Sequence, residues 1–505
     1  MNEDESFLDG ITERNLNEPE ERRAAVYRIF KSGDTRFDGR LFVGVTSTGI
    51  YCRTVCSAKM PKYENCRFFH TPAEAEAAGF RPCMTCRPEI APGISLVDAN
   101  ANLAKRAAIL LRDSCTESMG IEKIAAKLGY TGRHLRRAFG LEYGTTPSQY
   151  VTSCRLLLAK SLLTDSGLPI SRVAEASGFG SVRRFNDAFK KHYRLTPSDL
   201  RKRRSEDALP KGSILVRLGY RPPYDFDDLL AFFRDRALEG IEVVDESSYA
   251  RTVRLPKADG SVAEGWLRVR NEPSQNRLAL EMSDSLAPVL PSVIGRVRRM
   301  FDTDSNPTAI AEGLASLKDA APNVEVDGVR LPGCFDPFET ACRAVLGQQV
   351  SVKAANKVAA RIARAFGMSV EAGIAGLDRA WPSPANVAAL ASTEDAFGEL
   401  GVIRTRSRVI REIARMLIEG ELDLGPTASA TKQMEELLRI KGVGPWTANY
   451  IILRTLSYPD AFLETDAGIA HALPDMTPQE RLDAVERCRP WRSYAVVALW
   501  NSLSE

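Results

Sequence analysis

One short stretch near the end of the chain constrains its fold more than any other feature. Residues 438–450 run Leu-Arg-Ile-Lys-Gly-Val-Gly-Pro-Trp-Thr-Ala-Asn-Tyr. Gly442 and Gly444 are separated by one apolar residue, so they permit a tight turn with outward-facing backbone N–H groups, and the Thr-Ala-Asn run starts a second helix. The stretch therefore predicts a helix-hairpin-helix in which Gly442 and Gly444 bind a DNA phosphate.

Length and charge distribution point to several domains, one of which binds DNA. The 505 residues are too many for one hydrophobic core and predict three or four domains. The net charge of +3 says little about partners, but residues 97–205 hold 20 Lys and Arg against 9 Asp and Glu. A local excess of this size is typical of a DNA-binding surface.

Local patterns divide the chain into four expected domains. Residues 10–92 are rich in cysteine with short β-like runs, which indicates a small α/β domain, and residues 97–204 alternate amphipathic helical periods with turns, which indicates an all-α domain. Residues 213–300 combine period-2 alternation with two apolar helical stretches, which indicates a second α/β domain. Residues 301–505 are helical throughout, and the basic run 201–205 is an expected solvated linker.

The second domain contains an internal repeat. The pattern of apolar residues, glycine turn and Thr-Pro pair in residues 121–147 recurs in residues 170–197. Each copy predicts a helix-turn-helix whose second helix enters the major groove, and the paired arrangement resembles an AraC-type regulator domain. The expected recognition helices lie at about residues 131–139 and 181–189. Their candidate DNA-binding residues are Arg133, Arg136, Arg183 and Arg184. The alternative is that these arginines only coat an exposed helical face.

Two short-spaced cysteine pairs predict a metal site. Cys52 and Cys56 are followed by Cys83 and Cys86, a spacing that supplies four sulfurs to one tetrahedral Zn²⁺. The ten cysteines of the chain are expected to serve as thiolates at metal or reactive sites, not as a disulfide framework.

The surroundings of these cysteines resemble the N-terminal domain of the Ada family. The matching residues are Asp-Gly at 38–39, Thr-Gly-Ile-Tyr-Cys-Arg at 48–53 and Gly-Phe-Arg-Pro-Cys at 79–83. The resemblance implies that Cys52 is both a zinc ligand and the nucleophile that accepts a methyl group from a DNA methylphosphotriester. It also implies DNA contacts from Thr48, Lys59 and Arg81, whereas Ser57 stands where the family usually has an arginine. The alternative is a zinc ion that only folds a small domain.

From residue 213 onwards the chain resembles AlkA-type 3-methyladenine-DNA glycosylases. The matching landmarks are residues 222–225, 249–251, 331–334, 346–352, the hairpin and residues 490–495. The resemblance implies a TBP-like α/β domain followed by an all-α helix-hairpin-helix glycosylase domain. Asp466 follows Trp446 at the spacing of the family's catalytic aspartate, so we expect Asp466 to stabilise the oxocarbenium-like sugar or to orient water.

The same resemblance supplies the expected substrate contacts. Trp446, Tyr450 and Trp491 hold the family's positions for aromatic walls, whose electron-rich faces attract a cationic alkylated base. The alternative for Trp446 and Tyr450, which are four residues apart, is that they are ordinary core residues. Gln348 and Gln349 lie where the family inserts a wedge into the gap left by the flipped base, although an apolar wedge is common there.

Two further features narrow the expected chemistry. Bifunctional relatives use a lysine at the position held by Trp446, so the chain is expected to be a monofunctional glycosylase that leaves an abasic site. The cluster of four cysteines that holds an iron–sulfur centre in some relatives is missing after the catalytic region, where Cys488 stands alone, so we expect no iron–sulfur cluster.

We therefore predict a multidomain activator of the alkylation response fused to a glycosylase that releases alkylated bases. The expected partners are double-stranded alkylated DNA, promoter DNA and RNA polymerase. The acidic N-terminus and the lack of a long apolar run predict a cytoplasmic protein without membrane contact. We also expect it to be monomeric and associated with the nucleoid. One alternative is a transcription factor with a non-catalytic glycosylase half. The other is a repair enzyme whose N-terminal half only raises DNA affinity.

Overall fold

A computed structural model describes residues 17, 20–33, 41–54, 56, 58–69, 74–75, 78–83, 86, 96–117, 120–202, 212–257 and 259–503. The acidic N-terminus, the Asp-Gly pair at 38–39, Ser57 and the part of the basic linker after Lys202 lie outside these residues.

The first domain is a helix packed on a small sheet. Helix α1 is Glu20–Ser32, and the strands are β1 (Phe42–Val45), β2 (Ile50–Arg53), β3 (Cys66–Phe69) and β4 (Arg81–Pro82). The strand order is β3-β1-β2-β4, with β4 parallel to β2 and the other pairs antiparallel. Phe30 of the helix stacks on Phe68 of the sheet, with ring centroids 5.6 Å apart, so aromatic packing fixes the helix over the strands.

The second domain is all-helical and duplicated, as the repeat predicts. Its helices are α2 (Leu96–Asp113), α3 (Ile121–Lys127), α4 (Gly132–Tyr143), α5 (Pro147–Asp165), α6 (Ile170–Ala176), α7 (Val182–Tyr193) and α8 (Pro197–Arg201). The repeated Thr-Pro pair starts a helix in each copy. Thr146 and Thr196 each form a capping box with the residue three positions later, and the proline occupies the first helical turn.

The third domain is a five-stranded antiparallel sheet with two helices. The strands are β5 (Ser213–Gly219), β6 (Glu242–Val244), β7 (Ser248–Pro256), β8 (Val262–Glu272) and β9 (Arg277–Ser283), in the order β5-β9-β8-β7-β6. The helices are α9 (Phe226–Asp235) and α10 (Leu290–Met300). The period-2 alternation predicted β7 and β8, and the apolar stretches predicted the two helices.

The remaining chain is helical apart from one short ladder. Its helices are α11 (Pro307–Leu314), α12 (Pro337–Leu346), α13 (Val352–Phe366), α14 (Pro384–Ala388), α15 (Thr393–Gly398), α16 (Arg404–Glu419), α17 (Ala430–Leu438), α18 (Pro445–Leu456), α19 (Ala467–Ala472), α20 (Pro478–Glu486) and α21 (Arg492–Asn501). The two-residue strands β10 (Met368–Ser369) and β11 (Arg379–Ala380) pair antiparallel, an exception to the expected helical pattern. Among the described residues, no helix has both the length and the apolarity needed to cross a bilayer.

The second helix-turn-helix and the five-stranded sheet share one hydrophobic core. The cluster that contains Phe185 and Phe189 of α7 also contains Ile214 of β5 and its neighbours. Two ion pairs also join the helical second domain to the third domain, Asp165 to Arg217 at 3.0 Å and Asp113 to Arg299 at 2.7 Å. The helix-turn-helix domain is therefore packed against the C-terminal half over an apolar surface, with partly buried charges beside it.

Candidate active site and metal centre

Asp466 is held by the start of a helix. It is the N-cap of α19, and its Oδ1 accepts hydrogen bonds from the backbone N–H groups of Gly468 at 2.9 Å and Ile469 at 3.2 Å. The side chain is half-buried. An N-cap carboxylate satisfies unpaired backbone N–H groups, so the start of this helix fixes the orientation of the Asp466 side chain.

Two indole rings hold the same carboxylate from other helices. Trp446 Nε1 donates to Asp466 Oδ2 at 2.9 Å, and Trp500 Nε1 donates to Asp466 Oδ1 at 2.9 Å. Both donors are neutral, so they fix the carboxylate without cancelling its charge. Gly468 makes room for this contact, because a Cβ added there would lie 2.7 Å from Trp500 Cδ1. The result is an anionic group of fixed orientation beside two aromatic rings.

Tyr450 extends the aromatic surface that begins at Trp446. The two rings are stacked 10° from parallel, with centroids 5.2 Å apart. The Tyr450 hydroxyl oxygen accepts a hydrogen bond from Arg454 Nη1 at 2.8 Å. Burial opposes ionisation of this phenol, but the nearby guanidinium groups of Arg454, Arg236 and Arg343 outweigh it and lower the pKa of Tyr450 below its ordinary value.

The structure puts Trp500 beside the carboxylate and packs Trp491 against Tyr494 and α11. The ring of Trp491 meets Tyr494 edge-on at 5.8 Å and covers Gly313 of α11, where an added Cβ would lie 2.2 Å from the indole. Sequence reasoning missed Trp500. The sequence did hold one signal for a functional Trp500: this residue ends the apolar run of α21 and directly precedes the polar Asn501. Its role depends on how α21 packs against α19, which a local pattern does not reveal.

Gln348 and Gln349 lie next to each other but in different environments. Gln348 Nε2 donates to Gly442 O and to Thr447 Oγ1, both at 3.0 Å, so this side chain contacts the hairpin. Gln349 is exposed and has φ of 54°, in the left-handed region that residues other than glycine rarely adopt. The two neighbouring side chains therefore differ in both contacts and exposure.

The hairpin has the form that the two glycines predict. It joins α17 to α18, Gly442 has φ of 106°, and Gly444 is the N-cap of α18. A Cβ on Gly442 would lie 2.9 Å from Val409 Cγ2, so both backbone conformation and space favour glycine there. Gly442 and Gly444 are exposed at the start of a twelve-residue helix, where backbone N–H groups suit an anion.

The four predicted metal ligands come together in the first domain. The Sγ atoms of Cys52, Cys56, Cys83 and Cys86 all lie within 4.8 Å of one another. Cys52 belongs to β2 and Cys83 directly follows β4, so the parallel pairing of these strands places the two cysteine pairs side by side. Four sulfurs about 2.3 Å from one tetrahedral ion are about 3.8 Å apart, which this cluster accommodates.

Proton sharing inside the cluster also fits a metal ion. The pKa of Cys56 is lowered because its sulfur accepts hydrogen bonds from the thiols of Cys52 and Cys86. The pKa of Cys52 is raised because its thiol makes hydrogen bonds to Cys56 and Cys86 and is buried. Several sulfurs at this distance resist simultaneous ionisation unless a cation compensates their charge. The donor set is that of zinc.

The predicted DNA-binding side chains are all on the surface. In the first domain, Thr48 lies in the β1–β2 turn, and both Lys59 and Arg81 are exposed. On the recognition helices, which begin at N-caps Thr131 and Ser181, the exposed residues are Arg133, Arg136, Arg183 and Arg184. Arg136 Nη2 also pairs with Glu122 Oε1 at 2.7 Å, so part of its charge is already matched within the protein.

Fold and sites together define a helix-hairpin-helix DNA-repair protein joined to a zinc-binding, helix-turn-helix regulator. Four family models match in this order: the metal binding domain of Ada over residues 25–89, a helix-turn-helix domain over 124–203, the AlkA N-terminal domain over 215–336, and the HhH-GPD superfamily base excision DNA repair protein over 342–485. These matches confirm the fold classes and the resemblances expected from the sequence.

The probable bifunctional transcriptional activator/DNA repair enzyme AlkA of Mycobacterium tuberculosis is 36% identical over 486 residues, which cover 94% of this chain and 96% of that relative. The chain belongs to this family of bifunctional AlkA proteins. DNA-3-methyladenine glycosylase 2 of Escherichia coli is 34% identical over 286 residues, 57% of this chain and 96% of the relative. The solved 3-methyladenine DNA-glycosylase from Archaeoglobus fulgidus is 21% identical, with a TM-score of 0.44, and covers 56% of this chain and 96% of that one.

Proposed function

We propose that the C-terminal half hydrolyses the N-glycosidic bond of alkylated bases, 3-methyladenine among them, in double-stranded DNA. The observation that carries this proposal is the carboxylate of Asp466, which accepts hydrogen bonds from two indole N–H groups and two backbone N–H groups. An anion of fixed orientation beside aromatic rings suits a positively charged sugar and a positively charged base.

The reaction needs one carboxylate because the substrate is already activated. The nucleotide leaves the stack, since its anomeric carbon is otherwise inaccessible. The bond between that carbon and the base nitrogen breaks, and a purine cation alkylated at N3 or N7 departs as a neutral base with the bonding electrons. Asp466 stabilises the oxocarbenium-like sugar and orients the water, whose oxygen bonds to the carbon as its proton is released. An abasic site remains.

Three aromatic residues are the proposed walls of the base pocket. Trp446 and Tyr450 keep the role implied by the family resemblance, and their parallel stacking supports it. We assign the third wall to Trp500 instead of Trp491, because Trp500 donates to Asp466 and its ring lies 6.3 Å from that of Tyr450. Gln349 is the proposed wedge, and Gly442 and Gly444 are the proposed phosphate contacts.

Base release from alkylated DNA tests this proposal. Wild-type protein should release labelled 3-methyladenine, and Asp466→Asn should lower the rate about 10³-fold, because the amide keeps the shape of the side chain without its charge. Asp475→Asn is the matched control, since Asp475 is exposed nine residues later. Equal release by wild type and Asp466→Asn would remove Asp466 from the mechanism. No release by wild type would favour a non-catalytic DNA clamp.

For the N-terminal domain we propose methyl transfer from a DNA methylphosphotriester to Cys52. The sulfur attacks the methyl carbon, the carbon–oxygen bond breaks, and an ordinary phosphodiester anion leaves. Cys52, Cys56, Cys83 and Cys86 would hold one Zn²⁺, which when bound keeps the accepting sulfur anionic at neutral pH. Thr48, Lys59 and Arg81 are the proposed DNA contacts, and their exposure supports this role.

This transfer would make the regulator sensitive to DNA damage. A thioether at Cys52 carries less negative charge than a thiolate, so affinity for the DNA polyanion should rise after methylation. We propose that the methylated protein binds promoter DNA through both helix-turn-helix units and acts on RNA polymerase. We further propose that it does so as a monomer associated with the nucleoid in the cytoplasm.

Mass analysis and promoter binding test the regulator proposal. After incubation with methylphosphotriester DNA, one methyl group should map to Cys52, and promoter affinity should rise. Cys52→Ala should abolish both effects, whereas Cys66→Ala should abolish neither, because Cys66 is buried and its thiol donates to Lys62 O. Methylation at another residue would refute the role of Cys52. Promoter binding unchanged by Cys52→Ala would favour a repair enzyme whose N-terminal half only raises DNA affinity.

A further inference from the structure

The loop between α12 and α13 carries a residue in a strained backbone conformation. This loop, residues 347–351, contains the exposed Gln349 with φ of 54°. For a residue with a side chain, the left-handed conformation is unfavourable, and it persists only where the surroundings fix it. The contacts that fix this loop therefore decide where Gln349 is presented.

The first contact joins the loop to the hairpin. Gln348 Nε2 donates to Gly442 O and Thr447 Oγ1, so two acceptors on different parts of the hairpin share one amide group. Gly442 belongs to the hairpin turn, and Thr447 lies in the first turn of α18, where it is buried. One side chain thus sets the position of the loop relative to both the turn and the helix that follows it.

The second contact holds the backbone of the same residue. Arg406 of α16 donates through Nη2 to the carbonyl oxygen of Gln348. The turn is closed locally by the N–H of Val350, which donates to Gly347 O at 3.4 Å. Gln348 is therefore held at its side chain and at its main chain, directly before the strained residue.

We infer that Gln348 is a positioning residue that couples the hairpin to Gln349, and not a group that contacts the substrate as its place in the sequence suggested. This inference rests on the proposed function, in which the hairpin binds a phosphate and Gln349 fills the gap left by the extruded base. Because Gln348 links the two through two hydrogen bonds, phosphate binding fixes the position at which Gln349 enters the duplex.

A comparison of two DNA substrates tests this coupling. In one duplex the alkylated base is paired, and in the other it lies opposite an abasic-site analogue, where less pairing has to be broken on extrusion. Gln348→Met keeps the length of the side chain but donates no hydrogen bond. It should lower single-turnover base release about tenfold from the paired duplex and about twofold from the unpaired one. The fluorescence of 2-aminopurine beside the lesion should report the same loss of extrusion.

A double-mutant cycle shows whether Gln348 acts through its neighbour. In a Gln349→Ala background, Gln348→Met should cause less than about a twofold further loss, since the residue being positioned is gone. Thr447→Val, which removes one acceptor, should show the same substrate pattern at smaller size and serves as the second variant if Gln348→Met unfolds. Circular dichroism establishes that each variant is folded.

The possible outcomes separate this inference from the function on which it rests. Equal losses on both substrates, or losses that multiply in the double variant, would overturn the positioning role of Gln348. Unchanged release from the paired duplex would overturn it as well. Absence of base release by wild-type protein from either substrate would instead overturn the proposed glycosylase function.

Discussion

The two proposed reactive groups of this chain, Cys52 and Asp466, are held in opposite ways. The sulfur of Cys52 lies among three other sulfurs within 4.8 Å, so its surroundings repel its charge until a cation is bound. The carboxylate of Asp466 is instead fixed by four neutral N–H donors, two from indole rings and two from the backbone. The difference teaches that the proposed sulfur nucleophile needs a cation to compensate its charge, whereas the carboxylate is held by the helices packed around it.

Removal of zinc should separate the two regions by the largest margin. Structural zinc contributes roughly 10 kcal/mol or more to a small domain, so chelation should unfold the first domain and abolish methyl transfer. Base release should be unchanged, because the contacts of Asp466 involve no cysteine. Thiol counting, circular dichroism and base release before and after chelation check this expectation. Loss of base release in parallel with zinc would show that the two regions are not independent.

Acid should also affect the first domain before the C-terminal half. Zinc leaves as protons compete for its thiolates. In the C-terminal half, burial opposes ionisation of Glu486, but Arg492 and Arg489 outweigh it and lower its pKa to about 2, from an ordinary value of 4.5. Because its pKa is lower in the folded state, ionised Glu486 contributes roughly 3 kcal/mol to the free energy of unfolding. This contribution is fully present above pH 4.5 and is lost as pH falls toward 2. Zinc release should therefore precede acid unfolding of the C-terminal half.

Two substitutions check the assignment to Glu486. Glu486→Gln should lower the free energy of unfolding at neutral pH and flatten its decline between pH 4.5 and 2. Asp302 acts in the opposite direction, because burial raises its pKa from 3.8 to about 6. Its contribution to the free energy of unfolding is therefore present below pH 3.8 and is lost as pH rises through 6. Asp302→Asn should therefore stabilise the protein at neutral pH. Urea unfolding as a function of pH distinguishes the two, and identical profiles for both variants would contradict the assignment.

The cysteine cluster and the site around Asp466 also differ in how far the sequence predicts them. The four cysteines of the proposed zinc site occur in the sequence as two short-spaced pairs, so local spacing was enough to predict that Cys52 and its partners cluster. Asp466 and Trp446 were predicted from the resemblance to helix-hairpin-helix glycosylases, Asp466 by its spacing from the hairpin and Trp446 by its place directly after it. Trp500 was not found, because its contact depends on the packing of α21 against Gly468, thirty-odd residues away in the chain. The positive φ of Gln349 was not predicted either, since the contacts that hold the preceding Gln348 come from residues distant in the chain, Gly442, Thr447 and Arg406.

Loss of one indole donor should measure how strongly packing holds the carboxylate. Trp500→Phe keeps an aromatic ring but removes the N–H that donates to Asp466. A hydrogen bond to a charged group is worth about 1.5–3 kcal/mol, so kcat for base release should fall about 10- to 100-fold. Trp491→Phe is the control and should leave kcat nearly unchanged, because that ring covers Gly313. The reverse ranking would return the third wall to Trp491.

The smallest effect should come from the junction between the regulator and the C-terminal half. Asp165→Asn breaks the partly buried pair with Arg217, which also contacts Glu272 at 3.4 Å and so keeps one partner. The expected cost is about 1 kcal/mol, a shift of about 2–4 °C in the thermal transition shared by these regions. Differential scanning calorimetry checks the shift.

An exposed ion pair in the second helix-turn-helix provides the matched control for Asp165→Asn. Glu175→Gln breaks the ion pair with Arg172. The Glu175 side chain is 67% exposed and that of Arg172 is 49% exposed, so solvent already screens this pair and no resolvable shift of the thermal transition is expected. Because the second helix-turn-helix and the sheet share one core, Asp165→Asn should move a single common transition. Two separate transitions, only one of which moves, would show that the regulator unfolds on its own. The first domain, the helix-turn-helix domain and the C-terminal half would then be three parts of the chain that unfold independently.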